Sequence, residues 1–447
     1  MNDQSAGKKK AYVVLISLIS ALGGYLFGFD FAVISGALPF LRTAFALEAW
    51  GEGFLTGSLG LGCIVGCLFA GTLVDRYGRK PGLLIAAFIF ALSSLGMAAA
   101  SQFTFFVLMR FAAGIGVGMA SMLSPLYIAE ISPAEDRGRN VAINQLTIVI
   151  GILVTNLVNY HLADGGTDSW RWMFGLGAVP AAFFFVGVLW LPESPRWLLS
   201  VGKTQKAEAI LARIGSAAYA EKTMAAIQSS VQQGKKAERS VWAKSVRPAV
   251  VVGIALAVFQ QFCGINVVFN YTSTIFESVG SSINQQLFET ISIGLVNLLF
   301  TVLAMWQVDK LGRRPLMLVG SLGLSVVYIV LAVLLQNSFS PGWISVFVLL
   351  AIALYATSLA PVTWVLISEI FPNNIRGKAT SLAIVCLWSA YFILVFTFPI
   401  LSKKIGTYGP FYVYAGICLL GYFFIRKKVV ETKGQTLEQV EHTVTAH

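Results

Sequence analysis

Charged residues are scarce in this sequence, and their scarcity excludes an ordinary soluble protein. Asp, Glu, Lys and Arg make up 12% of its 447 residues, whereas a soluble domain carries about 25%. Residues 81–101 and 316–335 contain no charge at all. A stretch of about 20 such residues is long enough to cross the hydrocarbon core of a bilayer as a helix. The composition therefore predicts an all-α membrane protein.

Residues that carry out catalysis or bind metals are also few. There are three histidines and five cysteines, and the cysteines all lie in apolar stretches, where a thiol packs as a small hydrophobe. Cys63 and Cys67 share a helix face, but no His or acid lies beside them. No catalytic triad or phosphate-binding loop is visible. The sequence thus predicts no enzyme, no metal site and no cofactor.

Apolar stretches of membrane-spanning length occur twelve times. The first runs too long after Lys8–Lys10 for a cleavable signal peptide. The polar segment 193–246 divides six spans from six, and its part 204–230 is rich in Ala, Lys, Glu and Gln, which predicts short amphipathic helices in water. The predicted spans are 11–40, 51–74, 82–101, 104–130, 139–163, 171–192, 247–277, 285–308, 314–336, 343–370, 377–403 and 408–427. The expected units are an N-terminal six-helix bundle (1–192), a helical linker (193–246), a C-terminal six-helix bundle (247–430) and a tail (431–447).

The basic residues are placed asymmetrically about these spans. A net charge of +11 could indicate a nucleic-acid-binding protein. With a cytoplasmic N-terminus, however, only Arg42, Arg171, Lys403 and Lys404 fall on the outer side, and Arg110 lies within a span. The other Lys and Arg residues follow the positive-inside rule. We therefore expect a multi-pass protein of the cytoplasmic (inner) membrane, with both termini cytoplasmic and no nucleic-acid partner.

Two ionisable residues, Asp30 and Arg110, lie deep within spans 1 and 4. A charge at the centre of a bilayer costs at least about 2.5–3.5 kcal/mol, so such residues usually face the bundle interior and pair. Both lie at a similar distance along their helices from the inner side, which allows contact. One interpretation is a proton switch, in which protonated Asp30 releases Arg110. The alternative is a permanent structural salt bridge.

Span 7 carries a polar interruption. Gln260 and Gln261 precede Gly264, and Asn266 follows it. A broken helix is tolerated in a membrane where it lines a cavity, because the freed backbone groups need polar partners. Amides donate and accept hydrogen bonds without carrying charge. They suit a neutral polyhydroxylated solute, whereas a carboxylate or phosphate would call for arginine.

Four more residues are candidates for the same site. Gln145 in span 5 and Asn297 in span 8 are amides near the middle of their spans. Trp364 in span 10 and Trp388 in span 11 offer flat aromatic faces that could pack against a sugar ring. Ordinary packing or an interfacial position is the alternative for either tryptophan. Because the two tryptophans accompany a broken helix rich in amides, we favour a role in the binding site over ordinary packing.

Charged motifs occur twice, in the same order. Asp75-Arg-Tyr-Gly-Arg-Lys-Pro81 returns as Asp309-Lys-Leu-Gly-Arg-Arg-Pro315, 234 residues later (309 − 75). The segment from Glu130 to Arg139 returns as Glu369 to Lys378, and 192–194 has a weaker echo in 430–432. Two parallel repeats, neither of which forms a complete unit by itself, are typical of transporters whose halves face each other across a central transport pathway.

Seven motifs follow one another in an order that resembles the sugar porter family of the major facilitator superfamily, over about residues 12–440. They are Gly23-Gly24…Phe27-Gly28-Phe29-Asp30, Asp75-Arg-Tyr-Gly-Arg-Lys80, Arg110…Gly114-Ile-Gly-Val-Gly118, Pro125…Glu130, Pro192-Glu-Ser-Pro-Arg-Trp197, Gln260-Gln261…Gly264-Ile-Asn266 and Glu431-Thr-Lys-Gly434. The pattern is most similar to that of bacterial proton-coupled monosaccharide symporters. The resemblance implies the major facilitator fold, with twelve transmembrane helices in two pseudo-symmetric six-helix bundles plus short intracellular helices.

The resemblance also implies roles for individual residues. Asp30 and Arg110 match the proton-coupling pair of the bacterial symporters, whereas animal facilitative carriers have asparagine at the place of Asp30. Phe27 and Tyr271 match aromatic residues near the sugar. The implied sugar ligands are Gln145, Gln260, Gln261, Asn266, Asn297, Trp364 and Trp388.

Two positions depart from the family pattern. Leu387 stands where well-known glucose and xylose carriers have an amide, and Asn270 stands where many members have a second tyrosine. The preferred sugar is therefore open among glucose, xylose, galactose, fucose, arabinose and inositol.

The charges of the inner side resemble the family's intracellular gate, whose ion pairs between helices would hold an outward-open state. The implied gate residues are Asp75, Arg76, Arg79, Glu130, Arg137, Arg139 and Glu193 in the first half, and Asp309, Arg313, Arg314, Glu369, Arg376 and Glu431 in the second. Positive-inside anchoring alone would explain the basic residues, but it would not explain why Glu130 and Glu369 recur at matched positions.

The sequence thus predicts symport of a monosaccharide, hexose or pentose, with protons, by alternating access. A facilitative uniporter and a non-transporting membrane sugar sensor are the alternatives. A sensor usually needs a signalling extension, which the short segment after Glu431 does not provide. The expected partners are a small sugar, a proton and the lipid bilayer, with the monomer as the functional unit.

Overall fold

A computed structural model of the chain describes residues 3–133, 135–235, 240–243, 246–371 and 375–433. Within these residues the chain forms nineteen α-helices and one short 3₁₀ turn, and no β-strand. The helices are α1 Asp3–Phe45, α2 Ala49–Tyr77, α3 Arg79–Ala99, α4 Phe103–Ile131, α5 Arg137–Leu162, α6 Ser169–Gly175, α7 Ala178–Trp190, α8 Pro195–Ser200, α9 Thr204–Ile214, α10 Ala217–Lys235, α11 Arg247–Phe262, α12 Ile265–Asn270, α13 Thr272–Glu277, α14 Ile283–Leu311, α15 Arg313–Gln336, α16 Pro341–Thr357, α17 Leu359–Ile370, α18 Arg376–Ile405 and α19 Gly409–Lys428.

Twelve stretches of helix in the described residues are long and apolar enough to cross a membrane. This confirms the twelve predicted spans. Most spans are single helices, but the sixth, seventh and tenth are each built from consecutive pieces. In the seventh, α11 gives way to α12 at Gly264, whose φ of 88° lies in the left-handed region. Glycine adopts this conformation without steric cost, so the predicted interruption is confirmed.

The polar linker folds into α8, α9 and α10, as its composition predicts. The Trp197 indole donates a hydrogen bond of 3.0 Å to the Asp75 carbonyl at the end of α2. The Arg213 guanidinium lies 4.9 Å from the centre of the Tyr12 ring on α1. These helices therefore cover the N-terminal bundle on the side where α1 begins. We call this side, which carries α8–α10, the inner face, and the opposite side the outer face.

The limits of the structural units stay a prediction. The break between bundles falls in the linker 193–246, of which 193–235, 240–243 and 246 are described. Most of the predicted tail, from residue 434 onward, lies outside the described residues.

Small residues bring the helices of the N-terminal bundle into backbone contact. A Cβ atom added to Gly114 of α4 would collide with the Leu59 carbonyl oxygen of α2. One added to Gly28 of α1 would collide with the Ile148 carbonyl oxygen of α5. Since lipid tails are as apolar as leucine, helices in membranes associate mainly through this kind of close packing. The glycine-rich motifs of the sequence are therefore packing surfaces.

The two bundles pack mainly along two helix pairs, α2 with α18 and α5 with α14. On α2, Gly53 faces the carbonyl oxygen of Phe396 so closely that a Cβ atom would collide with it. Between α5 and α14, the Asn156 side-chain amide donates a hydrogen bond of 2.6 Å to the Thr290 carbonyl. These contacts fix how the N-terminal and C-terminal halves face one another.

We expect Gly28→Ala to destabilise the protein, because the new methyl group would force α1 and α5 apart. Overpacking of this kind costs about 1–3 kcal/mol. The matched control is Gly71→Ala on α2, where a Cβ atom meets nothing within 4 Å. Thermal denaturation in detergent would measure both variants. Equal melting temperatures for the two would contradict the close packing of α1 on α5.

Candidate functional site

The predicted contact between Asp30 of α1 and Arg110 of α4 is present. The Arg110 Nη1 atom lies 3.5 Å from the Asp30 Oδ1 atom. Both side chains are almost fully buried, with exposed fractions of 1% for Asp30 and 0% for Arg110. A well-formed pair between a guanidinium and a carboxylate has distances of about 2.7–2.9 Å. The observed contact is thus a long, single one.

Several polar atoms of this pair have no hydrogen-bond partner among the described residues. They are the second carboxylate oxygen of Asp30, Oδ2, and the Nε and Nη2 atoms of Arg110. The guanidinium also lies over the Phe174 ring, 5.7 Å from its centre, which gives a cation–π contact. A buried ion pair repays its desolvation only when further hydrogen bonds satisfy the remaining atoms. The geometry of this pair is therefore poorer than that of a fully satisfied buried ion pair.

The amides around Gly264 form a connected cluster. The Asn266 side-chain amide donates to the Gln261 Oε1 atom. The Gln261 Nε2 atom lies 3.5 Å from Gln260 Oε1, and Gln260 Nε2 lies 3.3 Å from the Ala360 carbonyl near the start of α17. All three predicted ligands of span 7 are buried and in contact. We call Gln260, Gln261 and Asn266 the amide cluster.

An aromatic wall spans both bundles. The ring of Phe27 on α1 meets the indole of Trp388 on α18 edge to face, with centroids 5.8 Å apart. Trp388 in turn contacts Tyr391 at 5.5 Å. Phe31, one turn beyond Phe27, meets Phe269 of α12 at 5.7 Å. The structure therefore brings together Phe27 and Trp388, which the sequence placed near one site.

The remaining predicted ligands lie on other elements. Gln145 on α5 is half-buried, and Asn297 on α14 is buried. Trp364 on α17 has an exposed fraction of 43%. Tyr271 is engaged elsewhere: its hydroxyl donates to the Val395 carbonyl at 2.9 Å. That tyrosine thus braces span 7 against α18, and convergence of the other three residues on one cavity stays a prediction.

The outer ends of the two bundles are tied together. The Arg42 guanidinium at the end of α1 binds the Glu277 carboxylate of α13 at 2.5 Å and the Thr274 hydroxyl at 2.6 Å. Two further bonds of 2.7 Å join it to Glu52 of α2. The Ser273 hydroxyl donates to the Ser35 carbonyl across the same interface. Sequence reasoning missed this outer lock, because its partners lie far apart in the chain.

The inner-face charges form the same arrangement in the first half and in the second. Arg79 pairs with Glu130 at 2.8 Å, and Arg313 pairs with Glu369 at 3.3 Å. Glu130 also accepts a bond of 2.5 Å from the Ser194 hydroxyl, as Glu369 does from Thr432. Each of these pairs lies within one bundle, so each clamps its own half.

Glu193 and Glu431, which occupy the weakly repeated positions, have the same structural role. Glu193 accepts hydrogen bonds from the backbone N–H groups of Arg79 and Lys80 at the start of α3. Glu431 accepts them from Arg313 and Arg314 at the start of α15. A carboxylate is favoured at a helix N-terminus by the orphan N–H groups and the helix dipole. Burial raises the pKa of Glu193, and these N–H groups and the Arg79 charge oppose the rise.

The other predicted gate residues are not gathered into this clamp. Asp75, Arg76, Arg137 and Arg139 are exposed at the inner face. The side chains of Asp309 and Arg376 lie outside the described ones.

Comparison with known families agrees with this architecture. The family model described as "Sugar (and other) transporter" matches residues 16–443. The chain belongs to this sugar porter family of the major facilitator superfamily. It is a membrane transporter and not an enzyme.

Relatives and solved structures cover almost all of this sugar porter. The D-xylose-proton symporter of Escherichia coli (strain K12) is 39% identical over 470 residues, which cover 96% of this chain and 95% of the relative. The arabinose-proton symporter of Bacillus subtilis (strain 168) is 35% identical over 438 residues, or 96% and 94%. The inward-open structure of the xylose transporter XylE from E. coli has a TM-score of 0.87 at 37% identity, covering 97% of this chain and 100% of that one.

We expect Glu277→Gln to weaken the outer lock while leaving the bonds between Arg42 and Glu52 in place. Half-exposed ion pairs contribute up to about 1 kcal/mol, which corresponds to a shift of up to about fivefold between two conformations. Spin labels placed across the outer face should report a larger outward-open fraction. The control is Asp168→Asn, which breaks an exposed ion pair with Arg171 inside one bundle. If both variants give the same distance distribution, Glu277 does not hold the outer face closed.

Proposed function

We propose that the protein is a proton-coupled monosaccharide symporter that works by alternating access. The observation that carries this proposal is the buried contact between Asp30 and Arg110, a single one of 3.5 Å with unpaired polar atoms on both sides. A permanent structural bridge would be expected to satisfy those atoms. A loosely held pair suits a group that is alternately charged and neutral as the carrier cycles.

The proposed proton step uses the two residues in complementary ways. Ionised Asp30 attracts Arg110 and holds α1 to α4. Protonation removes the negative charge, so Arg110 is released and α1 can move relative to α4. A proton can drive the cycle only if it binds the two conformations with different affinity. Separation of the pair in one conformation provides that difference.

The amide cluster and the aromatic wall support a neutral sugar as the solute. Gln260, Gln261 and Asn266 supply donors and acceptors without charge, and Trp388 supplies a flat face within the aromatic wall. Gln145, Asn297 and Trp364 complete the proposed set of ligands. The named relatives carry xylose and arabinose, and the departures at Leu387 and Asn270 leave both pentoses and hexoses as candidate substrates.

We further propose that the inner face lies in the cytoplasm and that the monomer is the transporting unit. The basic residues that flank the spans support this orientation through the positive-inside rule. The clamps at Glu130 and Glu369 each lie within one bundle, which is consistent with two bundles of one chain moving as separate bodies.

Substitution of Asp30 tests the proton step. Asp30→Asn resembles the protonated side chain and removes the charge at nearly constant volume. We expect it to abolish accumulation of labelled sugar against its gradient in proteoliposomes with an imposed pH gradient. Sugar binding and counterflow exchange should continue, since neither needs net proton movement. The measurement would use a panel of monosaccharides, including D-xylose, L-arabinose and D-glucose.

Two results of that assay would contradict the proposal in different ways. If Asp30→Asn still concentrates sugar, the proton binds elsewhere. If the wild type concentrates none of the sugars under any pH gradient yet exchanges one of them, the protein is a uniporter and the pair is structural.

Substitution of Gln261 tests the sugar site. Loss of one hydrogen-bond partner in a buried site costs about 1–3 kcal/mol, so Gln261→Ala should weaken sugar binding roughly 5- to 150-fold. Calorimetric titration in detergent would measure this. The control is Gln286→Ala, which removes a buried amide of α14 that donates to the Ser281 carbonyl. Unchanged binding in the Gln261 variant, or equal losses in both variants, would show that the cavity is assigned wrongly.

A further inference from the structure

The amide cluster belongs to a longer chain of hydrogen bonds that begins at Tyr391 on α18. The Tyr391 hydroxyl donates to the Asn270 Oδ1 atom at 3.3 Å. The Asn270 side-chain amide donates to the Asn266 carbonyl at 2.6 Å. Asn266 donates to Gln261, and Gln261 to Gln260. Every link runs in the same direction, and Asn266 joins the two parts of the chain, accepting through its backbone carbonyl and donating through its side-chain amide.

Tyr391 also lies beside the proton pair. Its ring contacts that of Phe31, the neighbour of Asp30, with centroids 5.9 Å apart. It packs against Gly60 of α2, where an added Cβ atom would lie 2.7 Å from the tyrosine ring. Its hydroxyl interacts electrostatically with both Arg110 and Asp30. This residue of the C-terminal bundle is therefore inserted against α1 and α2 of the N-terminal bundle, within electrostatic range of the charged pair.

Three titratable groups from three helices interact electrostatically with Asp30. They are Arg110 of α4, the buried thiol of Cys63 on α2 and Tyr391 of α18. Arg110 and Cys63 belong to the same bundle as Asp30. Tyr391 alone among them belongs to the other bundle and also contacts the amides.

We propose that Tyr391 is the positioning residue that links the protonation of Asp30 to the orientation of the sugar-binding amides. This inference rests on the proton-coupled function proposed above. The hydroxyl has one proton to donate, and it engages Asn270 Oδ1 at 3.3 Å. In the proposed switch, its second acceptor is the Oδ2 atom of Asp30, which has no hydrogen-bond partner among the described residues. Coupling between two sites requires an element that has two discrete arrangements. Binding at either site must shift the balance between those arrangements.

The sign of the coupling follows from the charge of Asp30. An ionised carboxylate is the stronger acceptor, so it attracts the Tyr391 hydroxyl and leaves Asn270 without its donor. A protonated carboxyl accepts more weakly, so the hydroxyl stays on Asn270 and holds Asn266 and Gln261 in place. Proton binding therefore raises sugar affinity. By reciprocity, sugar binding raises proton affinity by the same factor.

Tyr391→Phe tests this link, because it removes only the hydroxyl. D-xylose affinity, or that of the panel sugar which the wild type binds best, would be measured by calorimetry at acid and alkaline pH. We expect a loss of about 2- to 10-fold at acid pH and little change at alkaline pH, since one neutral hydrogen bond contributes about 0.5–1.5 kcal/mol. Sugar accumulation driven by a pH gradient should fall more than counterflow exchange.

Two further variants sharpen the comparison. Asn270→Ala removes the acceptor of the same bond and should flatten the pH dependence in the same way. Tyr328→Phe is the matched control: this tyrosine of α15 is fully buried, and its hydroxyl has no hydrogen-bond partner among the described residues. It should bind sugar as the wild type does at both pH values.

The outcomes separate the inference from the function on which it rests. If the wild type shows no pH-dependent affinity and no accumulation, proton coupling fails and the link fails with it. If Asp30→Asn flattens the pH dependence but Tyr391→Phe behaves as the wild type, the link alone is overturned. A loss in Tyr391→Phe that is equal at both pH values would show a merely structural role and would also overturn it.

Discussion

Inside a bilayer no water is available to satisfy buried polar groups, so each one must find its partner within the protein. The spans meet this constraint to different degrees. The amide cluster is closed, since Gln260, Gln261 and Asn266 bond to one another and to the start of α17. The charged pair is open, since Asp30 and Arg110 share one long contact and keep unpaired atoms. A closed network is more rigid, whereas an open one can change partners more easily.

The duplicated charges of the inner face show how each half stays rigid. In both halves, an arginine at the start of a helix pairs with a glutamate of the same bundle. In both halves, a second glutamate satisfies the backbone N–H groups of that helix start. The bonds that join the halves to each other lie elsewhere, at the outer lock and along α5 and α14. Motion between the bundles can therefore leave each clamp intact.

Much of this architecture was predictable from the sequence. The length and apolar character of the spans indicated their number, the similar depth of Asp30 and Arg110 indicated their contact, and Gly264 between amides indicated a break. Each inference needs only distance along one helix or a known conformational preference. The charge repeats likewise predicted the matched roles of Glu130 and Glu369, because a duplicated fold places equivalent residues in equivalent surroundings.

Contacts that depend on the rotation of helices and on the docking of bundles could not be predicted in this way. Tyr391 is one of several aromatic residues along α18. The helical periodicity of α18 does not distinguish it from the others as the donor to Asn270. One signal was available, since the family resemblance implied a tyrosine at the position of Asn270. The signal for the outer lock was weaker, because Arg42 and Glu277 look like ordinary residues at the ends of spans.

The exposure of the outer lock makes the carrier sensitive to the medium around it. The Glu277 side chain is 54% exposed, so its attraction for Arg42 is screened by dissolved ions over a Debye length of about 8 Å at physiological salt. The inner clamp of Arg79 and Glu130 has exposed fractions of 11% and 6% and is shielded from such screening. Ionic strength at the outer face is thus expected to weaken the joint between the bundles more than the pairs within each bundle. The same solution would then change how the two halves are held together without loosening either half.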